Sequence, residues 1–129
     1  MAQQTVLREY PDALIRAAWV WIRMMKYDDE DAALRGASKV DRDPRIRQFW
    51  DPDRRIGSAV ATSLGGKPQR VAWDMYLFYD QGATWDDGPP APFDWVHQLT
   101  GTDWASMNHY FRGDDLGVAL RAIMTRLVE

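Results

Sequence analysis

The densest apolar run in the chain is Ile15–Met25 (IRAAWVWIRMM), where both alternating faces are apolar from Ala17 to Ile22. A strand buried on both faces reads this way, and such strands sit inside α/β sheets. Ahead of it, Val6, Leu7, Tyr10 and Leu14 fall near the three- and four-residue spacing of one helix face, which predicts a helix over residues 3–14 that Pro11 limits. Behind it, Asp28, Asp29, Glu30 and Asp31 form the acidic first turn of a helix reaching about Lys39, where negative charge meets the positive helix end. Arg45–Trp50 (RIRQFW) has a period of two and predicts a short strand. Asp51-Pro52-Asp53 is turn chemistry opening a helix with Ile56, Val60 and Leu64 on one face and Gly65-Gly66 at its end. Val71–Tyr79 (VAWDMYLFY) predicts a second strong strand, and Ala83–Trp85 a returning hairpin strand after the Asp80-Gln81-Gly82 connection. A proline-rich loop leads to a short helix over Phe93–Leu99 with Pro92 near its start. Gly101–Gly113 has no clear pattern. Asp114 or Asp115 caps a last helix that buries Leu116, Leu120, Ile123, Met124 and Leu127.

A buried strand, a helix and another strand in succession imply a crossover and parallel pairing, and a hairpin adds an antiparallel edge. The expected fold is therefore α/β: a small mixed sheet of about three to four strands with helices on both faces. No repeat, low-complexity tract or change of composition divides the chain, so residues 1–129 are expected to be a single domain.

Composition narrows the function. The net charge of −3 argues against non-specific nucleic-acid binding, which needs a basic surface that releases counterions. The first ten residues lack a basic start followed by an apolar run, and the apolar stretch at Ala17–Ile22 is too short to span a bilayer. The expected location is cytoplasmic, without membrane attachment. There is no cysteine, which excludes thiol, disulfide and cysteine–metal chemistry. Sixteen of the 19 acidic residues are Asp, the type that favours caps and turns, so many of them should mark element ends.

The segments WVWIRMM, DPRIRQFWD, AWDMYLFYD and PPAPFDWVHQL, in this order of elements, resemble a group of uncharacterised bacterial proteins of the thioredoxin-like superfamily. The resemblance covers most of the chain and rests on aromatic landmarks, not on a catalytic motif. It implies a single thioredoxin-like domain. Two departures stand against it. The superfamily's Cys-x-x-Cys pair, placed at the start of the first helix after a first strand, is missing, and the chain begins at about that helix, so the first strand is expected to be missing too. Pro68 lies near the superfamily's cis-proline, but three residues separate it from Ala72, and a trans Pro68 in an exposed turn is the expectation. The redox activity of the superfamily does not carry over, since a thiolate is its nucleophile.

Asp74 stands out inside VAWDMYLFY, opposite the face of Trp73, Met75 and Leu77. A buried carboxylate is costly unless paired. It would be a structural carboxylate, paired with Arg16, Arg23 or Arg47 or fixing a loop, or else an acid or base lining a pocket beside Tyr76 and Trp73. His97 is a candidate general base and equally a hydrogen-bonded helix residue. The spacing of His97 and His109 matches no common metal motif, and Asp28, Asp29 and Asp31 lack the glycine and late glutamate of a calcium loop. Gly65-Gly66-Lys67 is a helix stop, not a phosphate loop. No cofactor and no metal is implied.

Seven tryptophans are the strongest positive signal. Trp19, Trp21 and Trp73 fall on strands and suit a core. Trp50, Trp85, Trp95 and Trp104 fall near element ends and, with Trp73, are candidates for a binding surface, because Trp is enriched at interfaces. The leading expectation is a cysteine-free binding or interaction domain, engaging a protein partner or a second copy. The alternative is a small hydrolase or isomerase using Asp74 and His97, with Tyr76 in support, on an apolar or aromatic substrate. It requires Asp74 and His97 to approach a shared cavity.

Overall fold

The computed structural model describes residues 1–129 and is a mixed α/β structure with four helices and four strands. Helix α1 (Ala2–Glu9) leads to β1 (Ala17–Ile22), α2 (Glu30–Ala37), β2 (Ile46–Asp51), α3 (Arg55–Ser63), β3 (Met75–Phe78), β4 (Asp94–His97) and α4 (Gly113–Val128). A single 3₁₀ turn at Met107–His109 precedes α4.

The strands do not form one sheet of three to four. They form two separate two-stranded sheets, β1–β2 and β3–β4. β1 and β2 run parallel in the register Ala17↔Ile46 to Ile22↔Asp51. Helix α2 is the crossover, capped by the Asp29 carboxylate, which accepts the Ala32 N–H at 2.8 Å. It lies on the face that carries Trp21, so closely that a β-carbon on Gly36 would stand 2.6 Å from the indole. The opposite face carries Ala18, Val20 and Ile22 of β1 with Arg47, Phe49 and Asp51 of β2, and it meets α3 where Ile22 lies against Gly57. The expectation that β1 is buried on both faces is thereby corrected: Ala18 is exposed and the other five residues are half-buried. β1 is apolar on both sides because each of its faces meets a helix.

β3 and β4 are antiparallel, with Met75↔His97 and Phe78↔Asp94 as the outer pairs. This sheet has helices on both faces. Tyr76, Phe78 and Val96 pack with Val6, Leu116, Leu120 and Ile123 of α1 and α4. Met75 and Leu77 pack against Val60, Ala61 and Ala72 on the α3 side. Tyr10 and Glu9 tie α1 to α4: the Tyr10 hydroxyl shares a 2.8 Å hydrogen bond with Thr125, and Arg121 Nε donates to Glu9 at 2.7 Å.

Three local expectations are corrected here. The strand read over Val71–Tyr79 shortens to Met75–Phe78, because Asp74 takes a left-handed φ of 53° and ends the extended run. Ala83–Trp85 is exposed loop rather than strand. Phe93–Leu99 is no helix: Asp94–His97 supplies the hairpin partner of β3, started by the Phe93 N–H donating to Phe78 O at 2.7 Å. Pro68 lies in an exposed turn, and every peptide bond is trans.

The molecule is open. Only 18 of 129 residues are buried, and the accessible surface is 8815 Å². A compact monomer of 14.9 kDa is expected to expose about 7,000 Å². No helix is long and apolar enough to cross a membrane.

Candidate binding site

A crevice of about 310 Å³ opens just beyond the carboxyl ends of β1 and β2, lined principally by Met24, Arg54, Val71, Trp73, Leu99 and Trp104. In open α/β sheets ligands favour that end of parallel strands, where loops converge over a fixed scaffold.

Three local devices build it. First, the buried Asp51 carboxylate accepts the N–H groups of Arg55, Ile56 and Gly57 at 2.8, 3.0 and 3.1 Å. It caps α3 and fixes the β2–α3 turn, since the first N–H groups of a helix have no partner within it. Second, Arg54 enters α3 with a left-handed φ of 59°. Its Nε donates to the Arg23 carbonyl at 2.7 Å and its Nη2 to the Met24 carbonyl at 2.9 Å, which holds the segment after β1 against the head of α3. Third, the segment Arg70–Trp73 is pinned from two sides. Ala72 N–H donates to Gly57 O at 2.9 Å. Arg70 donates twice to Asp103, at 2.9 and 2.7 Å, so that hydrogen bonding from Arg70 holds the Asp103 carboxyl below its usual range.

The chain has three non-glycine residues with left-handed backbone, Arg54, Gln69 and Asp74. Arg54 and Gln69 line the crevice, and Asp74 follows its Trp73. A left-handed conformation costs an L-residue roughly 1–2 kcal/mol, and strain of this kind concentrates where backbone geometry serves a site. Trp73 is 41% exposed at the rim. Trp104 is half-buried and packs on the Val60–Ala61–Ala72 cluster. Between them lie Thr100, Gly101 and Thr102. The crevice thus offers two indoles, backbone polar groups and hydroxyls, with the Arg70 charge balanced by Asp103.

A second crevice, of about 370 Å³, separates α3 from the loop at Asp87–Pro89. Ser58, Thr62 and Ser63 line it, and Ala59 is its one apolar residue.

The residues singled out from sequence disperse. Asp74 is exposed and has no ion-pair partner, and its carbonyl accepts the Gln98 N–H at 3.1 Å, so the premise of a buried strand carboxylate is corrected. The buried carboxylate is Asp51, for which the Asp-Pro-Asp turn before a helix was the available signal. His97 is fully buried. Its Nδ1 accepts the Leu99 N–H at 3.0 Å and its Nε2 donates to Ser106 O at 2.8 Å, which fixes the Nε2–H tautomer and leaves no free ring nitrogen. Neither Asp74 nor His97 lines either crevice. The Tyr76 hydroxyl donates to Gln3 at 3.4 Å on the α1 side, and burial, then the Asp74 charge, raises its pKa.

Of the five candidate tryptophans, Trp73 and Trp104 both line the crevice. Trp50 pairs in register with Trp21 on the α2 face of its sheet. Trp85 stands edge-on to Tyr79 at 6.0 Å between ring centroids. Trp95 stacks on His109 at 4.0 Å, and the His109 Nδ1 donates to the Trp95 carbonyl at 2.7 Å. His109 was missed as Trp95's partner because 14 positions separate the two. No three His, Asp or Glu side chains converge as a metal-binding group.

No protein-family model, no curated protein and no solved structure matches the chain.

Proposed function

We propose that the chain is a binding domain of thioredoxin-like type that carries out no redox step and takes an extended segment of a partner protein in the Trp73–Trp104 crevice. The observation that carries this reading is the convergence there of two accessible indoles and the strained residues Arg54 and Gln69. Stacking surfaces with backbone polar groups between them suit a polypeptide, whose apolar side chains and amides both need partners.

The element order supports the thioredoxin-like component. Counted from β1, it runs strand, helix, parallel strand, helix, antiparallel hairpin, helix. This count takes β1 as the superfamily's first strand, in place of the expectation that this strand is missing ahead of α1; the dithiol position then falls after β1, near Met24, and the cis-proline position just before β3, near Val71–Trp73 rather than at Pro68. Both positions line the crevice. That coincidence supports the reading, with methionine near the one position and tryptophan near the other.

Indole N–H resonances test the reading. Blocked pentapeptides with apolar, acidic or basic central residues are titrated to millimolar concentration into the ¹⁵N-labelled chain. The Trp73 and Trp104 signals are expected to move together and the Trp85 signal to stay, with Trp73→Ala abolishing the shift at Trp104. Silence at Trp73 and Trp104 across the panel, or shifts confined to Trp85, refutes the crevice as the site.

A further inference from the structure

We infer that β1 pairs edge to edge with β1 of a second copy of this chain, joining two β1–β2 pairs into one four-stranded sheet. The inference starts from the hydrogen bonding of β1. Ala17 N–H donates to Arg45 O and Arg23 N–H to Asp51 O, so the odd-numbered residues address β2. The N–H and C=O groups of Ala18, Val20 and Ile22 point to the other edge, where they have no backbone partner. An open edge is a template for a strand, and native proteins blunt such edges with charge, proline or a bulge. β1 has none of these: its sequence is AAWVWI, and its pairing with β2 is regular from end to end.

The chain as a whole leaves ample surface uncovered, and the symmetry of the edge favours a second copy. The chain exposes about a quarter more surface than a compact monomer of its mass, an excess of about 1,800 Å². A stable interface needs about 800 Å² per partner. An antiparallel two-fold centred on Val20 lets the two Val20 residues exchange both hydrogen bonds and sets Ala18 against Ile22 of the second copy. Arg16 then faces Met24, and Arg23 faces Ala17, so the flanking arginines do not oppose one another. The competing occupants are β3 of the same chain and a strand of another protein.

Sedimentation equilibrium and amide exchange of the full chain distinguish these. The wild type is expected to sediment at twice 14.9 kDa at high micromolar concentration. The Val20 amide should become more protected as concentration rises. Val20→Lys and Val20→Glu, which set like charges opposite at the two-fold axis, are each expected to weaken association at least tenfold. Mixing the two should restore it, a rescue no misfolded variant can give. A wild type that stays monomeric overturns the inference, as does a dimer indifferent to Val20→Lys. Concentration-independent protection of Val20 overturns it in favour of closure by β3. The assay reads mass and exchange, not peptide binding, so it stands or falls separately from the crevice.

Discussion

Replacing Asp51 by alanine removes the acceptor of three backbone N–H groups at the head of α3. The carboxylate is 4% exposed and its hydrogen bonds span 2.8–3.1 Å. Arg55 is exposed and Ile56 half-buried, so their N–H groups can turn to water; Gly57 is buried and its N–H cannot. A stranded buried donor costs about 1–3 kcal/mol, and loss of a helix cap about 1 kcal/mol. Asp51→Ala is therefore expected to destabilise by about 3 kcal/mol. At about 2.1 cal/mol/K per residue for unfolding entropy, that lowers the midpoint of thermal unfolding by about 11 °C. Asp51→Asn keeps one acceptor oxygen and sheds the charge, whose burial was itself unfavourable, so about half that loss is expected. Urea unfolding followed by circular dichroism measures both, with the slope against urea unchanged if only stability moves. A loss below about 1 kcal/mol for Asp51→Ala would refute the reasoning, because it would mean that water reaches the cap and that α3 does not depend on it.

Two further outcomes follow from the packing and the charges. Asp43 is held at a pKa of about 2 by side-chain hydrogen bonds from Arg45 and by the Arg45 amide, against an ordinary 3.8. A folded pKa below the unfolded one stabilises the fold above the unfolded value, and that stability is lost as pH falls through the folded one. Stability should thus decline from about pH 4 toward pH 2, and Asp43→Asn should flatten that decline in urea midpoints taken across the window, while leaving an undiminished slope if Asp43 is not responsible. Gly36→Ala gains about 1 kcal/mol of helix propensity but drives a methyl group to 2.6 Å from the Trp21 ring, and overpacking of that kind costs about 1–3 kcal/mol; a net loss in urea unfolding is expected, and a more stable variant would show that α2 does not rest on Trp21.

The elements most legible in the sequence are those set by local pattern. The parallel strands show in their apolar and alternating runs, α3 in its Asp-Pro-Asp start and diglycine end, and α4 in its long apolar face. β4 was not legible. Pro92 at a helix-start position and Trp95 with Leu99 four apart imitate a helix, and only the distant partner β3 makes Asp94–His97 a strand. The run Val71–Tyr79 overstates β3 because an aspartate in mid-run gives no sign of left-handed backbone, though Asp is among the residues that tolerate it. That the strands divide into two pairs was also out of reach, since the pairing of β1 with β3 in a single sheet depends on contacts far apart in sequence. At the crevice, Trp73 was legible as a residue of interest. That it shares the crevice with Trp104 depends on the Arg70–Asp103 pair and the turn at Gly101, and the left-handed Arg54 and Gln69 are residue types that announce nothing.

The crevice and the open edge draw on one physical fact and differ in what they require of it. Each indole carries about 150–250 Å² of surface, yet none of the seven is fully buried. Two-stranded sheets are marginal by themselves, and this chain has two. What holds the β1–β2 pair to the rest is mostly polar and directional: Asp51 at the head of α3, Arg54 on two carbonyls, and Arg45, which donates to the Leu7 and Tyr10 carbonyls from inside a pair with Asp43. Such contacts fix geometry without covering apolar area. For the proposed site this matters because ordering costs met during folding are not met again on binding. The same contacts leave the outer edge of β1 in place but uncovered, which is the condition for strand addition. A core completed by apolar packing would have closed both. This fold holds its turns by directed hydrogen bonds and leaves its indoles partly open, which is the arrangement that the proposed binding reading and the proposed strand pairing both require.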